Sequence, residues 1–175
     1  METIEQTLIE EAAKKTGDSI YRCYQCQKCS SGCPAAEFMD YLPAEIIRMI
    51  QYGLEDKVLS SRTIWVCSSC ETCTTRCPNE VDIAMTMDVM REMCIESGRQ
   101  ASEINVLKFH KSFLSTVRRF GKLHELGLIL NYKLKSKRYF DDLKLGFDMF
   151  RKGKIRLLPS KIKQIKEIRK ILHRK

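Results

Sequence analysis

Apolar residues recur three or four positions apart along most of the chain, which is the spacing of one face of an α-helix. The pattern predicts helices over residues 3–16, 43–52, 62–66, 83–97, 102–119, 122–135, 139–151 and 160–173. Pro43 suits a first helical turn and Asp82 suits an N-cap. Glycines follow three of the predicted helix ends, at Gly17, Gly53 and Gly98. Since no segment beyond residue 100 has the pattern of a β-hairpin, the predicted fold class is all-α.

The composition is that of a globular chain in water, with 43% hydrophobic and 30% charged residues among 175. No stretch approaches the roughly 18 consecutive apolar residues of a membrane span, so no transmembrane segment is predicted. The opening METIEQTLIEEAAKKTG has the pattern of an acidic amphipathic helix and not of a signal peptide. We therefore expect a cytoplasmic protein.

Nine cysteines are unusual for a chain without an export signal. A reducing cytosol disfavours disulfides, and an odd number of thiols cannot pair completely, so metal binding is the favoured use. Eight of the nine fall in two runs, CYQCQKCSSGCP beginning at Cys23 and CSSCETCTTRCP beginning at Cys67. Both follow the spacing C-x2-C-x2-C-x3-C-P, which is the ferredoxin run that binds 4Fe-4S clusters.

The spacing also predicts which cysteines share a cluster. Three cysteines at intervals of three surround one cluster, whereas the fourth, beside the proline, ligates the other cluster in two-cluster proteins. The first predicted cluster has the ligands Cys23, Cys26, Cys29 and Cys77. The second has the ligands Cys67, Cys70, Cys73 and Cys33. Zinc, which commonly takes two C-x2-C pairs separated by a longer spacer, and a disulfide framework are the disfavoured alternatives.

Residues between the ligands have two interpretations. Lys28 and Arg76 either raise the potential of a nearby negative cluster or are solvated loop side chains. Backbone amides that are candidate donors to cluster sulfur belong to Ser30, Gly32, Ser68 and Ser69.

Two residues near the second run are open to a similar choice. Trp65 either shields the second cluster from water or packs in the core. Cys94, the ninth thiol, shares an apolar helix face with Ile83, Met87 and Met90. We predict that Cys94 is a buried small hydrophobe and assign it to no site.

Charge divides the chain into two parts. Residues 1–98 carry 9 Lys and Arg against 16 Asp and Glu, a balance of −7, whereas residues 99–175 carry 22 against 6, a balance of +16. The first part contains an approximate duplication, in which a cysteine run closed by Cys-Pro leads into a helix. We predict a domain with two clusters over residues 1–98 and a basic helical extension over residues 99–175 that docks on a partner.

No other chemistry has a recognisable motif. His110, His124 and His173 have no Ser-His, Cys-His or carboxylate arrangement that would suggest acid-base catalysis. Neither G-x-G-x-x-G after a strand nor G-x4-G-K-S/T occurs, so no nucleotide or phosphate cradle is encoded. No catalytic residue is predicted, and the chain is expected to move electrons without binding a substrate.

Two stretches, CYQCQKCSSGCPAAEFMDYLPAEIIRMIQYG and IWVCSSCETCTTRCPNEVDI, resemble the HdrC family, which are small iron-sulfur subunits of heterodisulfide reductase. The resemblance is strong over about residues 15–98 and loose over the basic tail that ends LLPSKIKQIKEIRKILHRK. It implies an α-helical ferredoxin fold with two 4Fe-4S clusters. The eight cysteines named above match the ligands of that family position by position.

The resemblance also implies an electron-transfer subunit of an oxidoreductase complex. Members of the HdrC family pass electrons from a flavin-containing iron-sulfur subunit, where electron bifurcation occurs, to a cysteine-rich subunit. The cysteine-rich subunit reduces the mixed disulfide of coenzyme M and coenzyme B in methanogenesis. The implied partners are these two subunits and, through the flavin-containing one, a hydrogenase or formate dehydrogenase module.

The doubled cysteine run by itself leaves other functions open. It is shared with helical ferredoxin modules of succinate dehydrogenase, anaerobic glycerol-3-phosphate dehydrogenase and glycolate or lactate oxidases. An electron-transfer subunit of the glycerol-phosphate or glycolate type is therefore the alternative.

The basic segment over residues 160–173 permits two further uses, as a nucleic-acid arm or as a peripheral membrane anchor. Its apolar stripe consists of Ile162, Ile165, Ile168 and Leu172. Because aromatic residues are absent from that stripe, protein docking is favoured and no nucleic-acid partner is expected.

Overall fold

A computed structural model describes residues 10, 12–136, 149, 151–152, 162 and 165–172. Within these ranges all regular secondary structure is helical, which confirms the predicted all-α class. The chain divides into two compact units, Met1–Ile104 and Asn105–Lys175. Most of the predicted helices over residues 3–16 and 139–151, and His173, lie outside the described residues.

The first unit contains a short helix within each cysteine run and a longer helix after each. Residues 12–16 are helical, and 3-10 helices span Asp18–Arg22 and Ala36–Phe38. The α-helices are α1 (Lys28–Ser31), α2 (Pro43–Gln51), α3 (Glu55–Ser60), α4 (Thr63–Val66), α5 (Thr72–Thr75) and α6 (Ile83–Glu96). Helices α1 and α5 contact each other, α2 packs on α1, and α6 packs on α5.

The ends of the two longer helices follow the predicted signals. Helix α2 begins at Pro43, and the Glu45 carboxylate accepts a hydrogen bond from the Leu42 amide at 2.7 Å. Helix α6 is capped by Asp82, whose Oδ1 accepts from the Met85 amide at 2.9 Å. Gly98, just past α6, has φ 68°, a conformation that costs glycine little, so the helix ends there.

The duplication predicted from the sequence is also present in the contacts. The Ser30 hydroxyl accepts from the Ala44 amide at 3.0 Å, which ties α1 to the first turn of α2. The Thr74 hydroxyl accepts from the Ala84 amide at 3.1 Å and ties α5 to α6 in the same way. Each half therefore connects the helix inside its cysteine run to the helix that follows.

The core of the first unit lies between these helices. Its largest fully buried side chains are Ile20, Ile46, Ile47, Ile50, Val58, Leu59, Ile64, Val81, Ile83, Met87 and Met90. The apolar face predicted for α6 is buried, because Cys94 is inaccessible together with Ile83, Met87 and Met90. Removing these side chains from water is the main stabilisation that the chain itself provides.

The second unit contains α7 (Ile104–Phe120), α8 (Glu125–Ser136) and α9 (Ile165–Leu172). The Ile162 amide donates to the Phe120 carbonyl at 3.3 Å. The side chains of Ile162 and Ile165 occupy the space that a Cβ at Gly121 would need. Part of the apolar stripe predicted for the tail therefore packs within its own unit. Within the described part of the chain, no helix combines the length and the apolar character needed to cross a bilayer.

Candidate metal centres

Two cavities in the first unit are each lined by four cysteines. One holds Cys23, Cys26, Cys29 and Cys77 in its wall and contains about 320 Å³ of empty space, open solvent included. The other holds Cys33, Cys67, Cys70 and Cys73 and contains about 360 Å³, measured in the same way. Each cavity takes three thiols from one run and the fourth from the other run. The structure thus brings the eight predicted ligands together in crosswise groups.

The donor set of each cavity suits a group larger than one metal ion. All nine cysteines are free thiols. Among the described residues, no three His, Cys, Asp or Glu side chains converge as ligands of a single ion do. The thiols are instead spread around hollows whose walls also contain apolar side chains, including Met39 and Met87 in one and Ile83 in the other. Four soft sulfur donors around such a hollow fit a 4Fe-4S cube, which offers one iron corner to each thiolate.

The backbone between the cysteines repeats an uncommon conformation. At equivalent positions of the two runs φ is 63° at Gln25 and 49° at Ser69, and 62° at both Gln27 and Glu71. None of the four is glycine, so each left-handed residue costs roughly 1–2 kcal/mol. Alternating left-handed and right-handed residues turn successive N–H groups to one side, which creates a site that attracts anions. The repeated backbone therefore suits a negatively charged cluster in each cavity.

The cavity thiols differ in exposure and in pKa. Burial raises the pKa of Cys29, Cys67 and Cys73, and brings the pKa of Cys73 to about 11. Cys26 and Cys70 are exposed, and hydrogen bonds lower the pKa of both. The donor to Cys26 is the amide of Lys28, and the donors to Cys70 are the hydroxyl and the amide of Thr72. Each run thus has a rim thiol that deprotonates readily and buried thiols that need a bound cation to do so.

A family model for the 4Fe-4S dicluster domain matches residues 19–81. This range contains both cysteine runs and therefore every thiol that lines the two cavities. Residues 19–81 are a 4Fe-4S dicluster domain. The dicluster domain binds two 4Fe-4S clusters, as the cysteine spacing predicts.

Curated relatives confirm the resemblance stated from the sequence. The chain is 33% identical over 98 residues to the subunit designated C of H(2):CoB-CoM heterodisulfide,ferredoxin reductase from Methanothermobacter marburgensis, covering 56% of this chain and 53% of the relative. It is 36% identical over 103 residues to the iron-sulfur subunit designated C 2 of CoB--CoM heterodisulfide reductase from Methanocaldococcus jannaschii, covering 59% and 52%. It is also 36% identical over 103 residues to the corresponding subunit of Ferredoxin:CoB-CoM heterodisulfide reductase from Methanosarcina acetivorans, covering 57% and 41%. The chain spans about half the length of the curated relatives that it matches.

Loop residues of the dicluster domain hold different places from one another. Lys28 lines the cavity of Cys23, and Arg76 lies against Gly32, where a Cβ would meet its guanidinium. The Gly32 amide donates to the Ser30 carbonyl. The prediction that this amide serves cluster sulfur is therefore wrong, because closing the last turn of α1 already uses the donor.

Trp65 and Cys94 lie in the core beside the dicluster cavities. Trp65 is 2% exposed and is not among the residues that line either cavity, which favours the core interpretation. Cys94 is fully buried and also lines neither cavity. Burial raises the pKa of the Cys94 thiol, so it stays protonated and packs as the small hydrophobe that we predict.

Sequence reasoning missed two side chains that hold the cysteine runs from the following helices. On α2, Gln51 Nε2 donates to the carbonyls of Ile20 at 3.1 Å and Cys23 at 3.2 Å. On α6, Arg91 donates from Nε to the carbonyl of Ile64 and from Nη2 to the carbonyl of Cys67. Gln51 and Arg91 follow Ala44 and Ala84 by the same seven residues, so aligning the two halves of the sequence gives the one signal that could have found them.

Asp40, also missed from the sequence, joins the end of the first run to the start of the second. Its carboxylate accepts from the amides of Arg62 at 2.7 Å and Thr63 at 2.9 Å, and from the Thr63 hydroxyl at 2.7 Å. Burial raises the pKa of Asp40, but these hydrogen bonds outweigh burial and leave the pKa below its ordinary value of 3.8. Asp40 therefore fixes the first turn of α4, which leads directly into Cys67.

We expect Asp40→Asn to reduce the free energy of unfolding by about 1–2 kcal/mol at neutral pH, because the charged acceptor at the start of α4 is lost. The ionised carboxylate stabilises the fold above the ordinary pKa, and this contribution disappears as the pH falls through the lowered folded pKa. The difference between the two proteins should thus stay constant from about pH 8 to about pH 5 and shrink only below 3.8. Denaturant titration of the holoprotein, followed by circular dichroism, measures it.

Asp56→Asn is the matched control for this prediction. The Asp56 side chain is 88% exposed and pairs with Arg99 at 2.6 Å. An exposed pair of this kind contributes little, so the substitution should change the free energy of unfolding by less than about 0.5 kcal/mol. Equal effects at Asp40 and Asp56 would contradict the assigned role of Asp40.

Proposed function

We propose that the chain is the iron-sulfur electron-transfer subunit of a heterodisulfide reductase complex. The observation that carries the proposal is the pair of cavities with four cysteines each inside one dicluster domain. The names of the curated relatives support the type of complex. In this proposal the chain relays electrons from a flavin-containing partner to a cysteine-rich partner, which reduces a heterodisulfide in the cytoplasm.

The proposed ligands follow the two cavities. Cys23, Cys26, Cys29 and Cys77 bind one cluster, and Cys33, Cys67, Cys70 and Cys73 bind the other. When bound, such clusters accept and release single electrons without forming or breaking bonds. The chain has no substrate to orient and assigns no residue to proton transfer. Its residues hold the clusters in place, exclude water with side chains such as Met87 and Ile83, and adjust the potentials by charge and hydrogen bonding.

The basic part of the chain supplies the proposed docking region. Residues 99–175 carry a balance of +16, whereas residues 1–98, which contain the dicluster domain, carry −7. A basic helical extension attracts an acidic protein surface, and such attraction weakens as salt increases. We therefore propose that residues 99–175 dock on an acidic surface of the flavin-containing or the cysteine-rich partner.

Isolation of the complex from the native cells tests the proposed function. The tagged chain, purified without oxygen at low salt, should contain about eight iron atoms and bring with it a flavoprotein and a cysteine-rich protein. The same preparation washed at high salt serves as the control and should retain the iron while losing the partners. Zinc without iron would overturn the cofactor. A glycerol phosphate or glycolate oxidising partner would replace heterodisulfide reductase with the alternative complex.

A further inference from the structure

The two halves of the dicluster domain hold the same pair of carbonyls with side chains of different charge. The carbonyls belong to the first cysteine of each run and to the residue three positions before it. In the first half the donor is the neutral amide of Gln51, and in the second half it is the guanidinium of Arg91. Since the backbone is held in the same way in both halves, the remaining difference between the two donors is one positive charge.

Arg91 places this charge where water screens it weakly. Its side chain is 13% exposed, and Nη1 also donates to the Ser69 hydroxyl at 3.2 Å, between Cys67 and Cys70. Burial raises the pKa of Cys67, whereas the charge of Arg91 lowers it by more than the charge of Asp88 raises it. Asp88 pairs with Arg91, but the Asp88 side chain is 54% exposed. The second cavity therefore experiences a net positive field from this pair.

Cations near the first cavity are more exposed to water than Arg91. Lys28 lines that cavity as an exposed side chain. Arg48, one turn before Gln51 on α2, is also exposed and stacks on the ring of Tyr52 at 4.7 Å. Water and salt screen both charges, so neither compensates for the guanidinium that is bonded to the Cys67 carbonyl.

We propose that Arg91 raises the reduction potential of the cluster in the cavity of Cys33, Cys67, Cys70 and Cys73 above that of the other cluster. A single electron that enters the domain then resides on this second cluster. The inference rests on the proposed ligand groups and deepens the proposed electron relay.

The transfer between the clusters needs no further reactant. One electron leaves the first cluster and enters the second, no bond forms or breaks, and no proton moves. Reduction adds a negative charge to the second cluster, and a nearby cation stabilises the reduced state more than the oxidised state. Arg91 is a positioning residue in this scheme, because it acts through the Cys67 loop and through its charge.

Midpoint potentials of both clusters test the proposal, measured by redox titration of the anaerobic holoprotein with electron paramagnetic resonance detection. Arg91→Gln gives the second half the side chain of the first half, and should lower one of the two midpoints by about 59 mV, a tenfold change in a one-electron equilibrium. Gln51→Arg should raise the other midpoint by a similar amount. Arg91→Lys keeps the charge and should keep most of the potential. Arg48→Gln removes an exposed charge from α2 and should move neither midpoint.

Iron content separates the possible outcomes. An Arg91→Gln protein with full iron and unchanged midpoints would overturn the proposal, and so would shifts of the same midpoint by Arg91→Gln and Gln51→Arg. If Arg91→Gln loses iron, Gln51→Arg decides: a raised midpoint with full iron supports the charge effect, and an unchanged midpoint refutes it. The proposed function fails by a different result, namely the absence of clusters or of the expected partners.

Discussion

Replacing Cys77 with alanine is expected to leave about four iron atoms per chain, half of the roughly eight in two 4Fe-4S clusters. Cys77 closes the cavity whose other thiols, Cys23, Cys26 and Cys29, come from the first run. Without it, a cluster there would have three protein ligands and one corner open toward the exposed rim. The cavity of the second run keeps all four of its thiols. Iron and sulfide analysis of anaerobically purified protein, together with the resonance signal on reduction, measures the loss.

Two further variants control this experiment. Cys33→Ala is the counterpart in the other run and should also leave about four iron atoms, in a cluster with a different midpoint potential. Cys94→Ala removes a buried thiol that lines neither cavity and should leave the iron content unchanged. A Cys77→Ala protein with the iron content of the unaltered chain would show that Cys77 is not a ligand.

Removing the clusters is expected to unfold the two cysteine runs. The left-handed residues Gln25, Gln27, Ser69 and Glu71 together cost roughly 4–8 kcal/mol, which is comparable to the roughly 5–15 kcal/mol that stabilises an ordinary domain. Helices α1 and α5 have four residues each, too few to persist alone. Bonds between thiolates and iron are therefore needed to offset the strain, since ligand binding to the folded state adds directly to its stability.

Hydrogen exchange of the holoprotein and of chelator-treated protein tests this expectation. Amides of residues 23–33 and 67–77 should exchange at least about a hundredfold faster after iron removal, which corresponds to roughly 2.7 kcal/mol of lost protection. Helix α8 lies in the other unit and should exchange at an unchanged rate, so it serves as the internal control. Equal protection of the two runs with and without iron would mean that the chain alone maintains the cavities.

Local signals in the sequence were sufficient to predict the helical part of the first unit. Pro43, Asp82 and Gly98 act on residues one to three positions away, so their effect is visible in the sequence itself. The crosswise cysteine groups were also predicted, because ferredoxin runs of this spacing share their fourth ligands. The ligand roles of these thiols stay a prediction that the iron analysis must test.

Long-range contacts account for what the sequence did not reveal. Asp40 acts on residues 22 and 23 positions away, and Arg91 on a carbonyl 24 positions away. Neither spacing follows from helical or turn periodicity, so a charged residue in such a place has the appearance of a solvated side chain. The use of the Gly32 amide by the Ser30 carbonyl was missed for a different reason: the sequence did not predict that α1 ends within the run.

The iron content of two double variants tests the crosswise arrangement most directly. Cys23→Ala with Cys77→Ala removes two thiols from a single cavity, whereas Cys67→Ala with Cys77→Ala removes one thiol from each. We predict about four iron atoms per chain in the first protein and almost none in the second. The reverse result, with iron lost from the first and half retained in the second, would mean that each run completes its own cluster and would contradict the crosswise arrangement.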